Sequence, residues 1–339
     1  MLTILDQFPE AALDLPSDRL HEQFPCPTLI HLPGRRERPI IVSVLLHGNE
    51  TSGVLAIQDL LKKYGGGKLP RPLSIFIGNV RAARFNKRLL DGQPDYNRIW
   101  TDGGRPENEM AMKVVREMKR RNVFASVDLH NTTGLNPHHA CVPREGSLFY
   151  QLAAVFSRTV VYYKKPENTQ AEAFAELCPS VTVECGRPGQ AFGVDHACDY
   201  LEGCLHLDHL PDGPVRDHDM ELYHTIAIVK VPRDVSFGFG GCGEDICFRR
   251  DLDHFNFQKL PPGTKLADVK NDGSARLEAW DDFGNDVGNR YFTRDDGAIR
   301  TAQEVMPSLF TIQSDVIRQD CLCYLMERMN GTGDKPHTA

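Results

Sequence analysis

Short, continuous apolar runs alternate with amphipathic segments over the first two hundred residues. The runs predict buried strands, and the segments between them, with apolar residues on one helical face, predict helices. The predicted strands are 39–46, 73–77, 123–128, 159–163 and 181–183, and the predicted helices are 51–64, 107–121 and 147–156. Strands that are apolar throughout are covered on both faces. The pattern therefore predicts an α/β fold with a mixed, mostly parallel sheet flanked by helices.

The pattern changes after about residue 225. Short apolar segments at 225–231, 266–269, 275–279 and 308–312 are interrupted by Gly, Asp and Pro, which is typical of small β-rich structures. We expect a helical tail at 315–329. The sequence thus predicts two domains, a larger α/β domain at 1–224 and a smaller C-terminal β-rich domain with a helical tail at 225–339.

Composition limits the classes of partner. The 339 residues are 41% hydrophobic, and 39 Lys and Arg against 46 Asp and Glu give a formal net charge of −7. This charge argues against nucleic acid and anionic membrane surfaces as partners. No run of apolar residues is long enough to span a bilayer. Composition leaves open whether the chain forms a homo-oligomer.

The ten cysteines are scattered. None forms a C-x-x-C pair, and only Cys242 with Cys247 and Cys321 with Cys323 lie near each other in the chain. The first residues lack the features of an export signal. We therefore expect reduced thiols and a cytoplasmic protein.

Polar residues follow the predicted strands at their carboxyl ends. His47 and Glu50 follow the first strand, His130 follows the third, and Glu184 follows the last. In an open α/β sheet, ligands bind in the crevice outside these strand ends. The four side chains are therefore expected to meet.

Two histidines and a glutamate form an established ligand set for catalytic zinc, with one position left open. His47 and Glu50 are three residues apart across a strand-to-helix turn, and His130 would complete the set for one zinc ion per chain. Glu184 is placed to act as general base. A lone His-x-x-Glu is more often a capped turn, and a lone His130 could be a hydrogen-bonded strand end. The coincidence of all four favours zinc.

Five motifs, in this order, resemble those of the succinylglutamate desuccinylase/aspartoacylase family, which belongs with the zinc carboxypeptidases. They are Leu46-His47-Gly48-Asn49-Glu50-Thr51, Asn79-Val80-Arg81-Ala82, Tyr96-Asn97-Arg98, Asp128-Leu129-His130-Asn131-Thr132-Thr133 and Val183-Glu184-Cys185-Gly186. The resemblance implies a zinc carboxypeptidase-like α/β domain followed by a small β domain that narrows the entrance to the site. It also implies that His47, Glu50 and His130 bind zinc, with Glu184 as general base and later acid.

The resemblance implies roles for three further residues. Arg88 stands nine residues after Asn79, where the family has an arginine that polarises the scissile carbonyl. Asn97 and Arg98 would bind the substrate carboxylate, which a guanidinium matches with two parallel hydrogen bonds.

One departure from the family concerns specificity. Aspartoacylase has an arginine ten residues before its catalytic glutamate, and here that position is Phe174. We therefore expect a substrate with one carboxylate and a neutral or apolar side chain, for which Phe174 could form an apolar wall. Alternatively, Phe174 is a core residue and Lys164, Lys165 or Arg187 supplies the second cation.

The sequence thus predicts a zinc-dependent hydrolase that cleaves the amide bond of a small N-acyl amino acid or a related carboxylate-bearing amide. The alternatives are a metallocarboxypeptidase acting on a peptide or an amino-acid conjugate, and a metal-holding binding protein without turnover. Glu184 and Arg88 argue against the last alternative, because a binding protein needs neither. A second metal site is not expected, since the spacing of His196, His206 and His209 fits no common ligand set.

Overall fold

The structure is a computed structural model that describes residues 1–216, 218–270 and 275–329. Within these ranges the strands are β1 (Thr3–Leu5), β2 (Thr28–Leu32), β3 (Ile40–Val44), β4 (Leu73–Ile77), β5 (Ala125–His130), β6 (His139–Val142), β7 (Thr159–Tyr162), β8 (Ser180–Glu184), β9 (Glu221–Lys230), β10 (Phe237–Phe239), β11 (Ile246–Phe248), β12 (Lys265–Val269), β13 (Glu278–Trp280), β14 (Phe292–Asp295), β15 (Ala298–Thr301), β16 (Met306–Ser308) and β17 (Cys323–Arg328). The α-helices are α1 (Ser52–Tyr64), α2 (Val80–Ala83), α3 (Pro106–Arg120), α4 (Ser147–Ala154), α5 (Gln170–Phe174), α6 (Ala191–His206), α7 (Gly288–Tyr291) and α8 (Ser314–Gln319).

A 12-stranded mixed sheet forms the centre of the fold. Its strand order is β1-β2-β4-β3-β5-β8-β6-β7-β9-β17-β16, and β13 also pairs with β9. The run β4-β3-β5-β8 is parallel throughout, so four consecutive strands end at the same edge. This parallel run brings the loops after β3, β4, β5 and β8 together.

Helices cover both faces of the sheet. Alternating side chains of β3 enter different cores: Ile40, Val42 and Val44 pack in the core that includes α1 and α6, and Ile41 packs in the core that includes α3. A strand buried on both faces is apolar throughout, which explains the continuous runs. The predicted α/β class, with a mixed, mostly parallel sheet, is confirmed. No helix in the described ranges is long and apolar enough to cross a bilayer.

The C-terminal third contributes a second, five-stranded sheet with the order β10-β11-β12-β15-β14. All its pairings are antiparallel except that of β10 with β11. Its core contains Phe248, Leu266 and Ile299, and it is continuous with side chains of β9 and β17 from the large sheet. The predicted small β-rich region is therefore present and packs directly on the large sheet.

The predicted helical tail at 315–329 is wrong. Only Ser314–Gln319 is helical, and Cys323–Arg328 is a strand that pairs antiparallel with β9. Every residue from Cys321 to Met326 is buried. A surface helix buries only one stripe of its side chains, so six consecutive buried residues require a strand covered on both faces.

The predicted division after residue 224 falls inside β9, which is a strand of the large sheet. Strands β13, β16 and β17, all from the C-terminal third, join the same sheet. The described sheets therefore do not divide the chain at this position. Local sequence patterns do not reveal that β9 pairs with β17, because β17 follows β9 by about ninety residues in the chain.

One pair of cysteines departs from the expected reduced state. Cys242 and Cys247 form a disulfide, with their Cα atoms 5.6 Å apart. This separation lies within the range that a disulfide can bridge, and the pairing of β10 with β11 holds the segment in place. The expectation of reduced thiols is therefore wrong for this pair. The other eight cysteines of the described ranges are free thiols.

Candidate metal and active site

A tight turn after β3 carries His47 and Glu50. The Glu50 N–H donates to the His47 carbonyl oxygen at 3.1 Å, and the Gly48 N–H donates to the Arg88 carbonyl oxygen at 3.0 Å. A Cβ on Gly48 would lie 2.2 Å from the Ala83 nitrogen, so no other residue fits without moving the backbone. Glycine therefore lets the turn that carries His47 pack directly on the loop that carries Arg88.

The register of two neighbouring strands places His130 beside Glu184. Both are the last residues of their strands, β5 and β8, and they are partners in the parallel ladder. Asn131, the next residue, connects this edge to α1. Its side chain accepts a hydrogen bond from the Ser52 N–H at 3.0 Å and donates to the Gly186 carbonyl oxygen at 2.8 Å. The edge of the sheet and the start of α1 are thereby fixed relative to each other.

His47, Glu50 and His130 converge on one point. The Glu50 carboxylate lies between the two rings, with Oε1 at 2.9 Å from His47 Nδ1 and Oε2 at 2.7 Å from His130 Nδ1. One ligand atom from each residue lies within 4.8 Å of the others, and all three residues are buried. Among the described residues, this is the one group of histidine, cysteine and carboxylate side chains with the geometry to hold a metal ion. The geometry gives no support for a second site at His196 or His206.

The outward nitrogen of each ring is bound by a second carboxylate. His47 Nε2 lies 3.0 Å from Asp95 Oδ1, and His130 Nε2 lies 2.7 Å from Asp128 Oδ2. A carboxylate at Nε2 favours the tautomer with its proton there, which leaves the Nδ1 lone pair available to bind a metal ion. The donor set of two imidazoles and one carboxylate therefore fits a zinc ion.

The charges of the cluster favour a cation between the rings. Burial alone would lower the pKa of His130, but Asp128 and Glu50 raise its pKa well above the usual value. Burial would raise the pKa of Glu50, but the imidazoles of His47 and His130 lower it. The carboxylates thus stabilise positive charge at the place where the Nδ1 atoms meet.

Glu184 differs from the other acidic residues of the site. Its Oε2 is buried and has no hydrogen-bond partner among the described residues. Burial raises the pKa of Glu184 to about 7, with the nearby Glu50 charge adding to the effect. A carboxyl group with a pKa near neutrality can both accept and return a proton.

Two partly buried arginines lie beside these three converging residues. Arg88 Nη1 is 3.5 Å from Glu50 Oε1, and Nη2 donates to Asp95 Oδ2 at 3.1 Å and to Asp320 Oδ2 at 3.0 Å. Arg98 Nη2 lies 3.5 Å from Asp320 Oδ1. Both guanidinium groups therefore face carboxylates of the protein.

The side-chain amide of Asn97 has a contact at each of its polar atoms. Its Oδ1 accepts a hydrogen bond from the Gln170 N–H at 2.9 Å, and its Nδ2 lies 3.2 Å from His130 Nε2. The residue is buried. Asn97 thus connects the loop of the arginines to the start of α5 and lies beside the His130 ring.

The three converging residues, Glu184, the two arginines and Asn97 line one cavity of about 130 Å³. These are the seven residues to which the sequence assigned metal-binding, catalytic or substrate-binding roles: His47, Glu50, Arg88, Asn97, Arg98, His130 and Glu184. Residues from the C-terminal third, Thr225, Ser308, Asp320 and Tyr324 among them, complete its lining. The large sheet and the C-terminal segments therefore build the cavity together.

Sequence reasoning missed three acidic residues of the site. Asp128 had a local signal, because it is two residues before His130 in the same strand and so lies on the same face. Asp95 lies in the loop before Asn97, and its carboxylate accepts a hydrogen bond from the Asn97 N–H and also contacts His47 and Arg88. Asp320 had no signal, since it lies 232 residues from its partner Arg88.

Four strands form an uncharged wall beside Glu184. Thr182 of β8 is in register with Cys141 of β6, which is in register with Val161 of β7. Residues in register share a face of the sheet, and all three line the cavity together with Tyr163 and Thr225. We call these five residues the sheet wall.

The expectation that Phe174 forms an apolar wall of the site is wrong. Phe174 is fully buried in the core beside α3, with its ring 6.0 Å from the Trp100 ring, and it does not line the cavity. Helix α5 turns this side chain away from the sheet edge.

The three candidate replacement cations differ in position. Lys164 pairs with Asp282 and Arg187 with Asp253, and neither lines the cavity. Lys165 lines the cavity and pairs with Glu167. Of the three, Lys165 alone is placed to approach a substrate.

Comparison with known proteins agrees with this geometry. A sequence model described as "Succinylglutamate desuccinylase/Aspartoacylase catalytic domain" matches residues 38–206, about half of the chain. No curated protein sequence matches. The fold is shared by a succinylglutamate desuccinylase/aspartoacylase from Rhodobacter sphaeroides, with 13% sequence identity, a TM-score of 0.59 and coverage of 88% of this chain and 88% of that chain. It is also shared by murine aminoacylase 3, with 16% identity, a TM-score of 0.56 and coverage of 87% of this chain and 96% of that chain. The succinylglutamate desuccinylase from Chromobacterium violaceum is 15% identical, with a TM-score of 0.55 and coverage of 88% of this chain and 87% of that chain.

The carboxylate at the outer nitrogen of His130 generates a prediction about metal affinity. Asp128→Asn removes the charge that fixes the His130 tautomer, so affinity for Zn²⁺ should fall about 10- to 100-fold. Competition with a chelating dye measures the dissociation constant. Asp268→Asn, an exposed position on β12, serves as the control and should bind as the wild type does. Equal affinities for all three proteins would show that Asp128 does not support the ligand.

Proposed function

Because the chain belongs, through residues 38–206, to the succinylglutamate desuccinylase/aspartoacylase family, we propose that it is a zinc-dependent hydrolase. Its substrate is a small N-acyl amino acid or a related carboxylate-bearing amide, and the bond cleaved is the amide. One observation carries the proposal. The Glu50 carboxylate and two imidazole Nδ1 atoms meet in a cavity beside an unpartnered buried carboxyl group, Glu184.

His47, Glu50 and His130 would hold one zinc ion per chain. Two imidazoles and a carboxylate leave a fourth coordination position open, as catalytic zinc requires. Zinc, when bound, supplies Lewis acidity, which lowers the pKa of water and polarises a carbonyl group. The carboxylates of Asp95 and Asp128 keep both rings in the tautomer that such a site needs.

Glu184 would act as general base and then as general acid. Its carboxylate takes a proton from the attacking water and returns it to the nitrogen of the leaving amine, so the group ends in its starting state. The unpartnered Oε2 supports this role, since no other described group competes for the lone pair. The ladder pairing of Glu184 with His130 keeps the base next to the metal ligands.

Arg88 would stabilise the negative charge that develops on the carbonyl oxygen. Its guanidinium lies 3.5 Å from the metal ligand Glu50, so a carbonyl bound beside the metal would also be within its reach. A charged donor fixed before the reaction stabilises the transition state without reorganisation. Arg98 would bind the substrate carboxylate, and Asn97 would hold the loop and line the same pocket.

The sheet wall supports a substrate whose side chain is uncharged. Its five residues, Thr182, Cys141, Val161, Tyr163 and Thr225, carry no cation to pair with a second carboxylate. Burying a carboxylate without a partner costs several kcal/mol. Lys165 already pairs with Glu167, so a diacid would have to break that pair to gain a partner.

The first prediction of this proposal separates metal binding from chemistry. Glu184→Gln keeps the size of the side chain but cannot accept a proton. Zinc content should therefore stay at the wild-type level, and turnover should fall roughly 10²- to 10⁴-fold. His130→Ala should lose both zinc and activity, whereas His206→Ala, outside the cavity, should keep both. Metal analysis of dialysed protein together with kcat provides the test, and near-normal turnover in Glu184→Gln would show that another residue is the base.

The second prediction concerns the substrate. N-acyl derivatives of neutral and apolar amino acids should give a higher kcat/KM than N-acetylaspartate or succinylglutamate, because the sheet wall offers no second cation. A panel of N-acyl amino acids at equal concentrations ranks them. Lys165→Gln is the matched variant, and its ranking should stay the same. A clear preference for N-acetylaspartate that disappears in Lys165→Gln would assign the second carboxylate to Lys165 and refute the prediction.

A further inference from the structure

Asp320 fills the space between the two arginines of the cavity. Its Oδ2 accepts a hydrogen bond from Arg88 Nη2 at 3.0 Å, and its Oδ1 lies 3.5 Å from Arg98 Nη2. One carboxylate therefore bridges two guanidinium groups, one oxygen to each. This is the arrangement in which a pair of arginines binds a carboxylate ligand.

The arginine pair is partly shielded from water. The side chains of Arg88 and Arg98 are 10% and 26% exposed, and that of Asp320 is 24% exposed. A partly buried charge is stabilised by a counter-ion, so a carboxylate beside the two guanidinium groups is favourable. Asp95 provides part of this stabilisation at Arg88, but for Arg98 the described ion pairs offer Asp320 alone.

Asp320 stands where a side chain can leave without disturbing the fold. It follows the last residue of α8, and its backbone N–H donates to the Val316 carbonyl oxygen. Its carboxylate contacts only the two arginines among the described hydrogen bonds and ion pairs. A rotation of the side chain would free one donor on each guanidinium.

We propose that Asp320 is a specificity-determining residue whose carboxylate is exchanged for that of the ligand. In the free protein it neutralises Arg88 and Arg98, and a ligand carboxylate binds by taking its place. Both arginines therefore have a carboxylate partner before and after the exchange. The inference rests on the proposed function, because it concerns the same site. Displacement of the Asp320 carboxylate requires free energy, so Asp320 lowers the affinity of the site for every anionic ligand.

The test measures binding without turnover. The probe is 4-oxopentanoate, which has the shape of N-acetylglycine with a ketone in place of the amide and so cannot be hydrolysed. Its neutral carboxamide, 4-oxopentanamide, is the matched ligand without charge. Dissociation constants are measured by ligand-observed NMR for the zinc-loaded wild type, Asp320→Asn and Asp320→Ser, with Asp315→Asn on the same helix as the charge-matched control.

Removal of the resident carboxylate should tighten 4-oxopentanoate binding about threefold to fivefold, near the upper limit for one partly exposed ion pair. The carboxamide should bind all the variants equally, and Asp315→Asn should bind both ligands as the wild type does. In an Arg98→Gln background the same Asp320→Asn change should have a smaller effect, because Arg88 is then the one arginine for which Asp320 and the ligand compete.

Three results would overturn the inference. They are unchanged or weaker 4-oxopentanoate binding in both Asp320 variants, an equal change for the carboxamide, and an equal gain in the Arg98→Gln background. The last two would make Asp320 a structural support or a source of general charge repulsion. Because hydrolysis plays no part in the measurement, failure to find an amide substrate would leave this result standing.

Discussion

The Glu50 carboxylate, buried between two imidazoles, is the interaction on which the rest of the site depends. Its two oxygens contact His47 Nδ1 and His130 Nδ1, so one side chain sets the distance between two segments that are far apart in the chain. A carboxylate in this position is stable only with positive charge around it. The nearby Arg88 supplies part of that charge. In the proposed function a zinc ion would supply the rest, with both imidazoles neutral.

The groups around the two imidazole rings hold these rings in place and balance one another's charge. Asp95 and Asp128 fix the outer nitrogens, and the β5–β8 ladder brings Glu184 beside His130. The arginines then balance the accumulated negative charge, and Asp320 in turn balances the arginines. Acidic and basic side chains thus alternate around the cavity. The Glu184 carboxyl group differs from them, because its buried Oε2 has no hydrogen-bond partner among the described residues and is free to exchange a proton.

Local patterns predicted the mostly parallel sheet of the first two thirds of the chain, and they grouped the polar residues that converge in the cavity. Buried parallel strands have continuous apolar runs, and their carboxyl ends meet at one edge, so His47, Glu50, His130 and Glu184 could be grouped before any coordinates. The pattern failed where the information is non-local. The segment of β17 is predicted to be helical from the sequence, but it is a strand because it pairs with β9. Phe174 stands at the sequence position of a family arginine, but its side chain is buried in the core. Asp320 contacts Arg88, which is 232 residues away in the chain.

The central claim is that two imidazoles and one carboxylate, without sulfur, bind the metal. X-ray absorption spectroscopy of the zinc-loaded protein tests it most directly. The account predicts about one zinc per chain with nitrogen and oxygen neighbours at roughly 2.0–2.2 Å, two of the nitrogens from imidazole. A sulfur neighbour at about 2.3 Å, or a spectrum that His47→Ala leaves unchanged, would contradict it, because zinc would then be bound by cysteines or at another place in the chain.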